Sequence, residues 1–371
     1  MVTYLSNYHG GYRIFAVIKK KEQADELLNS GLTVGLLKDN SLTLIPDQLI
    51  IPFAEEEQKR MSCINAYDVL DINDNGILYR WYSSKDGDAG IATTSACNSN
   101  CIMCPAGDNE RRHRSHLTVE QLDTVIRHMP KDLYYFTVTG GEPTLIGEDN
   151  FIHVLNTIKA ELPYTKILLL TNGRTLGDHG FMEKFIQNKP DHLRVAIPLH
   201  GSTADKHDYI TRSPGGFNQT VRAIKALLKE KVELELRIVV SKLNHNNITN
   251  IAQYIVNHFP SVTVVNFVGL EMRGNCVANA DEVLISYEEA FQFSRNAINL
   301  LIRNGIDVGL YNFPYCMIDE HYWPIAQKSI SAYKSVFYPD CDSCKMREAC
   351  CGIFKATMNY YKPTVCPITR R

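Results

Sequence analysis

The sequence predicts an α/β protein: a partial (β/α)6 barrel of the TIM type, with a small β-rich region before it and a cysteine-rich segment after it. Three observations predict this. Candidate strands lie at residues 90–94, 133–139, 166–172, 193–199, 232–240 and 262–268, and most of them are near-continuous apolar runs, the composition of strands covered on both faces. Between these runs the apolar residues shift to helical spacing. A loop carrying Cys97, Cys101 and Cys104 directly follows the first run, at the strand end where such barrels keep their working groups.

The elements follow in order. In the β-rich region, residues 1–87, the stretches 12–18 and 42–45 read as strands, and Asn75-Gly76 reads as a hairpin turn between Val69-Leu70 and Ile77-Leu78-Tyr79. Asp71-x-Asn73-x-Asn75-Gly76 imitates the start of an EF-hand loop. Its twelfth position is Tyr82 instead of a bidentate Glu and no helix leads into it, so calcium binding is not expected. The barrel occupies residues 88–304. Thr118-x-x-Gln121 offers a capping box for a helix whose buried face is Leu122, Val125, Ile126 and Met129. Val221, Ile224, Leu227 and Leu228 form a second stripe, and Ile248, Ile251, Ala252 and Ile255 a third. A helix over about 287–303 stops at Asn304-Gly305. A seventh strand, about 306–311, leads into the cysteine-rich segment, residues 305–371.

Composition narrows the function classes. The 371 residues include 39 Lys and Arg against 41 Asp and Glu, a net charge of −2, without the basic excess expected of a nucleic-acid binder. A local basic run, residues 110–116, reads as a solvated loop, a substrate contact being the alternative. No apolar stretch reaches the roughly 20 residues that span a bilayer, and the first residues lack a secretory pattern. Eleven cysteines, most of them clustered at metal-like spacings, then suit a reducing cytoplasm and thiolate ligation better than a disulfide framework.

Cys97-x-x-x-Cys101-x-x-Cys104 is the most informative motif. Three thiolates hold three corners of a cubane [4Fe–4S] cluster and leave the fourth iron open to a bound molecule. No further cysteine follows before Cys276. A structural zinc site or free thiols are the plainer alternatives. One strand later comes Thr139-Gly140-Gly141-Glu142-Pro143-Thr144. Its glycines let a ligand approach the backbone, and the Glu142 carboxylate can accept hydrogen bonds from an ammonium group. Arg212 and Arg237 are candidate carboxylate partners because a guanidinium fork matches that group. Arg237 lies inside an apolar strand, which leaves a buried ion pair equally open.

The cysteine spacing resembles the radical S-adenosylmethionine (radical SAM) signature, with Met103 where an aromatic usually precedes the third cysteine. The Gly-Gly-Glu-Pro run stands where that family carries the same motif. The resemblance implies that Gly140, Gly141 and Glu142 hold the methionyl amine of S-adenosylmethionine (SAM), and that the amine and carboxylate chelate the open iron. It also implies that Asn172, in Thr171-Asn172-Gly173, lies near the cofactor, a plain turn being the alternative. His200 and Ser202, in Leu199-His200-Gly201-Ser202, would contact the SAM ribose or carboxylate. The implied chemistry is one-electron cleavage of SAM to methionine and a 5′-deoxyadenosyl radical, which takes a hydrogen from the substrate.

The tail spacing Cys341-x-x-Cys344-x5-Cys350 resembles the middle of the SPASM/twitch extension of peptide-modifying radical SAM enzymes. It is sparser than a full SPASM domain and implies one auxiliary [4Fe–4S] cluster. The expected ligands are Cys316, Cys341, Cys344 and Cys350, with Cys351 or Cys366 able to replace one; a zinc site with the same thiolates is the alternative. Cys63 and Cys276 are isolated and read as buried free thiols.

The runs at 97–104, Gly269-Leu270-Glu271-Met272, Tyr311-Asn312-Phe313-Pro314-Tyr315-Cys316, 323–331 and Cys341-Asp342-Ser343-Cys344 resemble the C-type radical SAM maturase of His-Xaa-Ser peptide systems. Cys350-Cys351-Gly352 departs from the Cys-Gly-Gly expected there. This resemblance implies a ribosomally made precursor peptide as substrate, a second radical SAM maturase and a small accessory protein as neighbours, and a low-potential electron donor. The competing expectations are a sulfatase-maturase-like or small-molecule radical SAM enzyme and, more remotely, a structural zinc protein.

Overall fold

The computed structural model describes residues 2–85, 87, 89–112 and 117–369. The chain divides into two compact units, one formed by residues 1–94, 116–169 and 188–193, the other by 95–115, 170–187 and 194–371.

The first unit opens with a sheet of seven strands: β1 (Val2–Tyr4), β2 (Arg13–Ile18), β3 (Val34–Lys38), β4 (Ser41–Ile45), β5 (Leu49–Pro52), β6 (Val69–Ile72) and β7 (Ile77–Tyr82), in the order β1-β7-β6-β2-β3-β4-β5. Alternate residues of a strand face opposite sides. Phe15 and Val17 of β2 join Leu42, Leu44, Leu70 and Leu78 on one side, whereas Ile18 joins Ala24, Val34 and Leu36 on the other. That is why the run 14–18 is apolar throughout. The Asn-Gly turn forms as expected between β6 and β7: Gly76 has φ 75°, and Asn73 Oδ1 accepts from the Asn75 and Ile77 amides at 3.0 and 2.9 Å. Asp71 is buried and accepts from Tyr12 Oη at 2.6 Å and Trp81 Nε1 at 2.9 Å, a structural task within the sheet.

Three parallel strands follow in the same unit, β8 (Gly90–Ala92), β9 (Tyr135–Thr139) and β10 (Lys166–Leu170), each paired with the next. The helix Val119–His128 starts at the anticipated capping box, with Gln121 N donating to Thr118 Oγ1 at 3.2 Å and Thr118 N to Gln121 Oε1 at 2.9 Å. Its apolar face is buried as its spacing requires. Asp123 ties it to the helix Glu148–Glu161 through His153 and Thr157, both at 2.7 Å. His128 accepts from the Thr33 amide at 3.1 Å, and burial lowers its pKa, which keeps the ring neutral and able to accept. This bond fastens the N-terminal sheet to the helix layer.

The second unit continues the alternation with β11 (Leu193–Pro198), β12 (Glu233–Val239), β13 (Val264–Val268), β14 (Asp307–Tyr311) and the short β15 (Ala326–Gln327), parallel and paired in chain order. Helices Ala204–Thr211, Gly216–Lys229, Ile248–His258 and Tyr287–Arg303 lie between the strands. An antiparallel pair, β16 (Ser335–Val336) and β17 (Ile353–Phe354), organises the tail. All seven anticipated βα strands are present, each one or two residues shorter than its apolar run, because the run's polar or loop-bonded ends leave the ladder. Among the described residues, no helix is long and apolar enough to cross a membrane.

Candidate metal centre and cysteine-lined pocket

In the second unit the cysteine loop is anchored by the residues between its cysteines. Ile102 and Met103 are buried with Ile210, Leu270, Met272, Cys276 and Val283. Met103 therefore fills a core position, a use that suits a flexible thioether. The loop backbone is pinned as well. Asn100 N donates to Thr211 O at 3.1 Å and Ile102 N to Ile210 O at 2.9 Å. Asn275 Nδ2 donates to Asn100 Oδ1 at 2.8 Å and Cys101 O at 3.0 Å, and Asn279 Nδ2 to Ile102 O at 3.2 Å. Gly274, with φ 57°, lets this second segment close on the loop: a Cβ there would lie 2.5 Å from Pro105 O.

With the intervening residues spent on anchoring, Cys97, Cys101 and Cys104 stay half-buried and free of disulfides. The Ser99 amide donates to Cys97 Sγ at 3.4 Å, and Asn172 Nδ2 reaches the same sulfur at 3.9 Å and Asn98 Oδ1 at 2.6 Å. Such N–H···S contacts suit a thiolate ligand of an iron–sulfur cluster. Burial pushes the Cys101 thiol up to about 12, the neighbouring Cys104 and Cys97 add to this, and Arg111 opposes it. Ligation must therefore displace a proton there. Cys276 lies close by but is buried and donates its thiol to Met103 O at 2.8 Å.

The other expected SAM contacts fall in two places. In the first unit, Gly140, Gly141 and Glu142 follow β9. A Cβ on residue 140 would lie 2.5 Å from Thr94 O, and Gly141 N donates to that oxygen at 2.7 Å, so the turn is pressed onto the backbone. Glu142 is fully buried, and its Oε1 accepts from Thr144 Oγ1 at 2.8 Å and Thr144 N at 3.3 Å. In the second unit, His200 follows β11 and is buried. Its Nδ1 finds no hydrogen-bond partner among the described residues, and burial lowers its pKa to about 3, keeping it neutral. Ser202 exchanges hydrogen bonds with Asn247 at 3.0–3.2 Å. Arg212 is exposed and donates to Asn279 Oδ1 at 3.1 Å. Arg237 pairs with the buried Glu235 at 2.5 Å and lies over the Tyr311 ring at 5.8 Å, the ion pair that its apolar strand left open.

The C-terminal cysteines gather. Cys316, Cys341, Cys344, Cys350 and Cys366 line one pocket with apolar walls that include Val336, Phe337 and Ile353. Backbone amides point at two of the sulfurs: Ile368 N donates to Cys344 Sγ and Gly352 N to Cys350 Sγ, both at 3.4 Å. A thiol-rich cavity with apolar walls and N–H groups directed at sulfur fits a [4Fe–4S] cluster. Among the described residues no three His, Cys, Asp or Glu side chains are placed to share one metal ion. A cubane needs no such point, since each thiolate binds its own iron.

Cys351 is not part of this lining. It is packed with Ile330 and Phe354, and its thiol donates to the Gly352 carbonyl at 3.2 Å. Cys351→Ala is accordingly expected to leave iron content near that of the parent chain, whereas Cys350→Ala removes about half of it, measured by iron assay after anaerobic reconstitution. Cys63, expected to be buried, is exposed at a helix end with its thiol on Arg60 O at 3.1 Å. A lone cysteine reads as a small hydrophobe, and nothing local marks this one as a surface position.

Sequence reading missed Arg174, Arg111, Ser213 and Asn275, all of which hold the cysteine loop. Of the basic run, Arg111 is largely buried on that loop, and residues 113–116 lie outside the described residues.

Residues 91–255 match the family model of the Radical SAM superfamily, whose cofactors are a [4Fe–4S] cluster and SAM. Three curated relatives each align with part of the chain. A cysteine-type anaerobic sulfatase-maturating enzyme of Clostridium novyi (strain NT) is 30% identical over 176 residues, covering 43% of this chain and 45% of the relative. An AdoMet-dependent heme synthase of Methanosarcina barkeri (strain Fusaro / DSM 804) is 28% identical over 157 residues, 42% and 43%. The mycofactocin maturase MftC of Mycolicibacterium smegmatis (strain ATCC 700084 / mc(2)155) is 26% identical over 161 residues, 43% and 39%. The chain thus spans under half the length of these relatives.

Proposed function

We propose that this chain is a radical SAM maturase that abstracts hydrogen from a residue of a ribosomally made precursor peptide. The observation that carries the reading is the Cys97/Cys101/Cys104 loop, anchored through its intervening residues and offering exactly three half-buried thiols. When bound, a reduced [4Fe–4S] cluster with an open iron supplies the electron that splits SAM into methionine and the hydrogen-abstracting 5′-deoxyadenosyl radical. In this reading Cys97, Cys101 and Cys104 hold the cluster, and Gly140, Gly141 and Glu142 receive the methionyl ammonium. Asn172 orients Cys97 by its N–H···S contact. His200 is a buried neutral acceptor or donor for the ribose or carboxylate, while Ser202, Arg212 and Arg237, already engaged with protein partners, have smaller parts. Cys316, Cys341, Cys344 and Cys350 carry an auxiliary cluster.

The peptide substrate is supported by the maturase relatives and by the tail's likeness to His-Xaa-Ser maturation systems. A second maturase, a small accessory protein and a low-potential electron donor complete the expected set. Co-expression with a short peptide encoded beside the chain tests the reading: mass spectrometry is expected to show a discrete mass change on that peptide. The heme-synthase relative favours a second reading, chemistry on a small molecule. An unmodified peptide alongside 5′-deoxyadenosine production would select it.

A further inference from the structure

Two arginines from different elements grip Asn98 and Ser99, which lie between the first two cysteines. Arg174, in the loop after β10, donates from Nη1 to the Asn98 carbonyl, to Ser99 Oγ at 3.2 Å and to Ser213 Oγ at 3.2 Å, and from Nε to Gln219 Oε1 at 2.7 Å. Ser213 Oγ in turn lies 3.0 Å from Ser99 Oγ. Arg111, in the helix Asp108–Arg112, donates from Nη1 to Ser99 O at 3.3 Å and from Nη2 to Ala106 O at 3.2 Å. Its side chain is 9% exposed, and its Nε has no hydrogen-bond partner among the described residues.

The partners' charges matter more than their number. Among the described residues, every hydrogen-bond acceptor of Arg174 is a neutral oxygen. Among the described residues, Arg111 has one carboxylate near it, the half-exposed Asp108 at 3.8 Å, too long for a hydrogen bond. A guanidinium does not deprotonate in proteins, so two positive charges remain on a loop that also presents three cysteine sulfurs. A hydrogen-bonding role alone would be met by neutral amides. Fixed cations at a partly buried site act electrostatically on any charge that develops there.

We propose that Arg174 and Arg111 are positioning residues that also set the reduction potential of the cluster on Cys97, Cys101 and Cys104, favouring its reduced, more negative state. This rests on the radical SAM reading above. Removing either charge makes the cluster harder to reduce, while a lysine at 174 keeps the charge and loses the planar fork.

The test is an electron paramagnetic resonance (EPR)-monitored redox titration of reconstituted full-length chain, following the reduced-cluster signal that changes when SAM is added. Arg174→Gln and Arg111→Gln are each expected to cut the reduced-to-oxidised ratio at a fixed potential about tenfold, a midpoint shift of about 59 mV to lower potential. Arg174→Lys is expected to stay near the parent value. Equal midpoints in all four proteins would overturn the inference. So would a lysine variant as impaired as the glutamine one, or loss of the cluster from both 174 variants, because the contribution would then be shape and not charge. A parent chain that takes up no iron would instead remove the reading beneath it, which keeps the two failures apart.

Discussion

Replacing Cys97, Cys101 and Cys104 together by Ala is expected to abolish 5′-deoxyadenosine formation and to lower iron from about eight to about four per chain. The fold should survive the change. The loop is held by Ile102 and Met103 in the apolar cluster and by Asn275, Asn279 and the 210–211 carbonyls on its backbone, none of which depends on sulfur. Half-buried thiols exchanged for methyl groups remove ligands without opening a deep cavity. The remaining iron reports the tail pocket separately, since its cysteines come from residues 316–366. Iron assay, visible absorbance and chromatographic detection of 5′-deoxyadenosine check the three parts. Loss of all iron would show that the two cysteine groups do not assemble clusters independently.

Glu142→Gln is expected to weaken SAM binding roughly 10- to 150-fold while leaving iron content unchanged. The factor corresponds to about 1.5–3 kcal/mol for a hydrogen bond to a charged group. The glutamine keeps the size of a fully buried side chain and an oxygen for the Thr144 amide and hydroxyl, so packing is retained. What is lost is the negative charge offered to an ammonium. Equilibrium binding of SAM to the iron-loaded variant measures the effect. An unchanged dissociation constant would place the amine elsewhere.

The sequence made the repeat legible because parallel strands covered on both faces are near-continuous apolar runs, as in β10, although β12 carries Glu233, Glu235 and Arg237 among its apolar residues. The helix at 119–128 was legible for a local reason too: Thr118 and Gln121 satisfy each other three residues apart. The order of the N-terminal sheet was not, because β7 pairs with β1 across more than seventy residues and no local signal encodes that choice. The same limit hid the supports of the cysteine loop. Arg174 meets Asn98 and Asn275 meets Cys101 only after folding, and in the sequence each is an ordinary polar residue in a turn. The tail shows how direction escapes spacing. Cys350 and Cys351 are adjacent, yet one faces the pocket and the other packs with Ile330 and Phe354.

The central claim is that the Cys97 loop carries a cluster with one iron open to SAM. Anaerobically reconstituted full-length chain, given dithionite and SAM, measures it most directly. The account predicts release of 5′-deoxyadenosine in the parent chain and none in the triple-alanine variant. Tight zinc without iron, or an iron-loaded chain that never forms 5′-deoxyadenosine even with its peptide present, would contradict it.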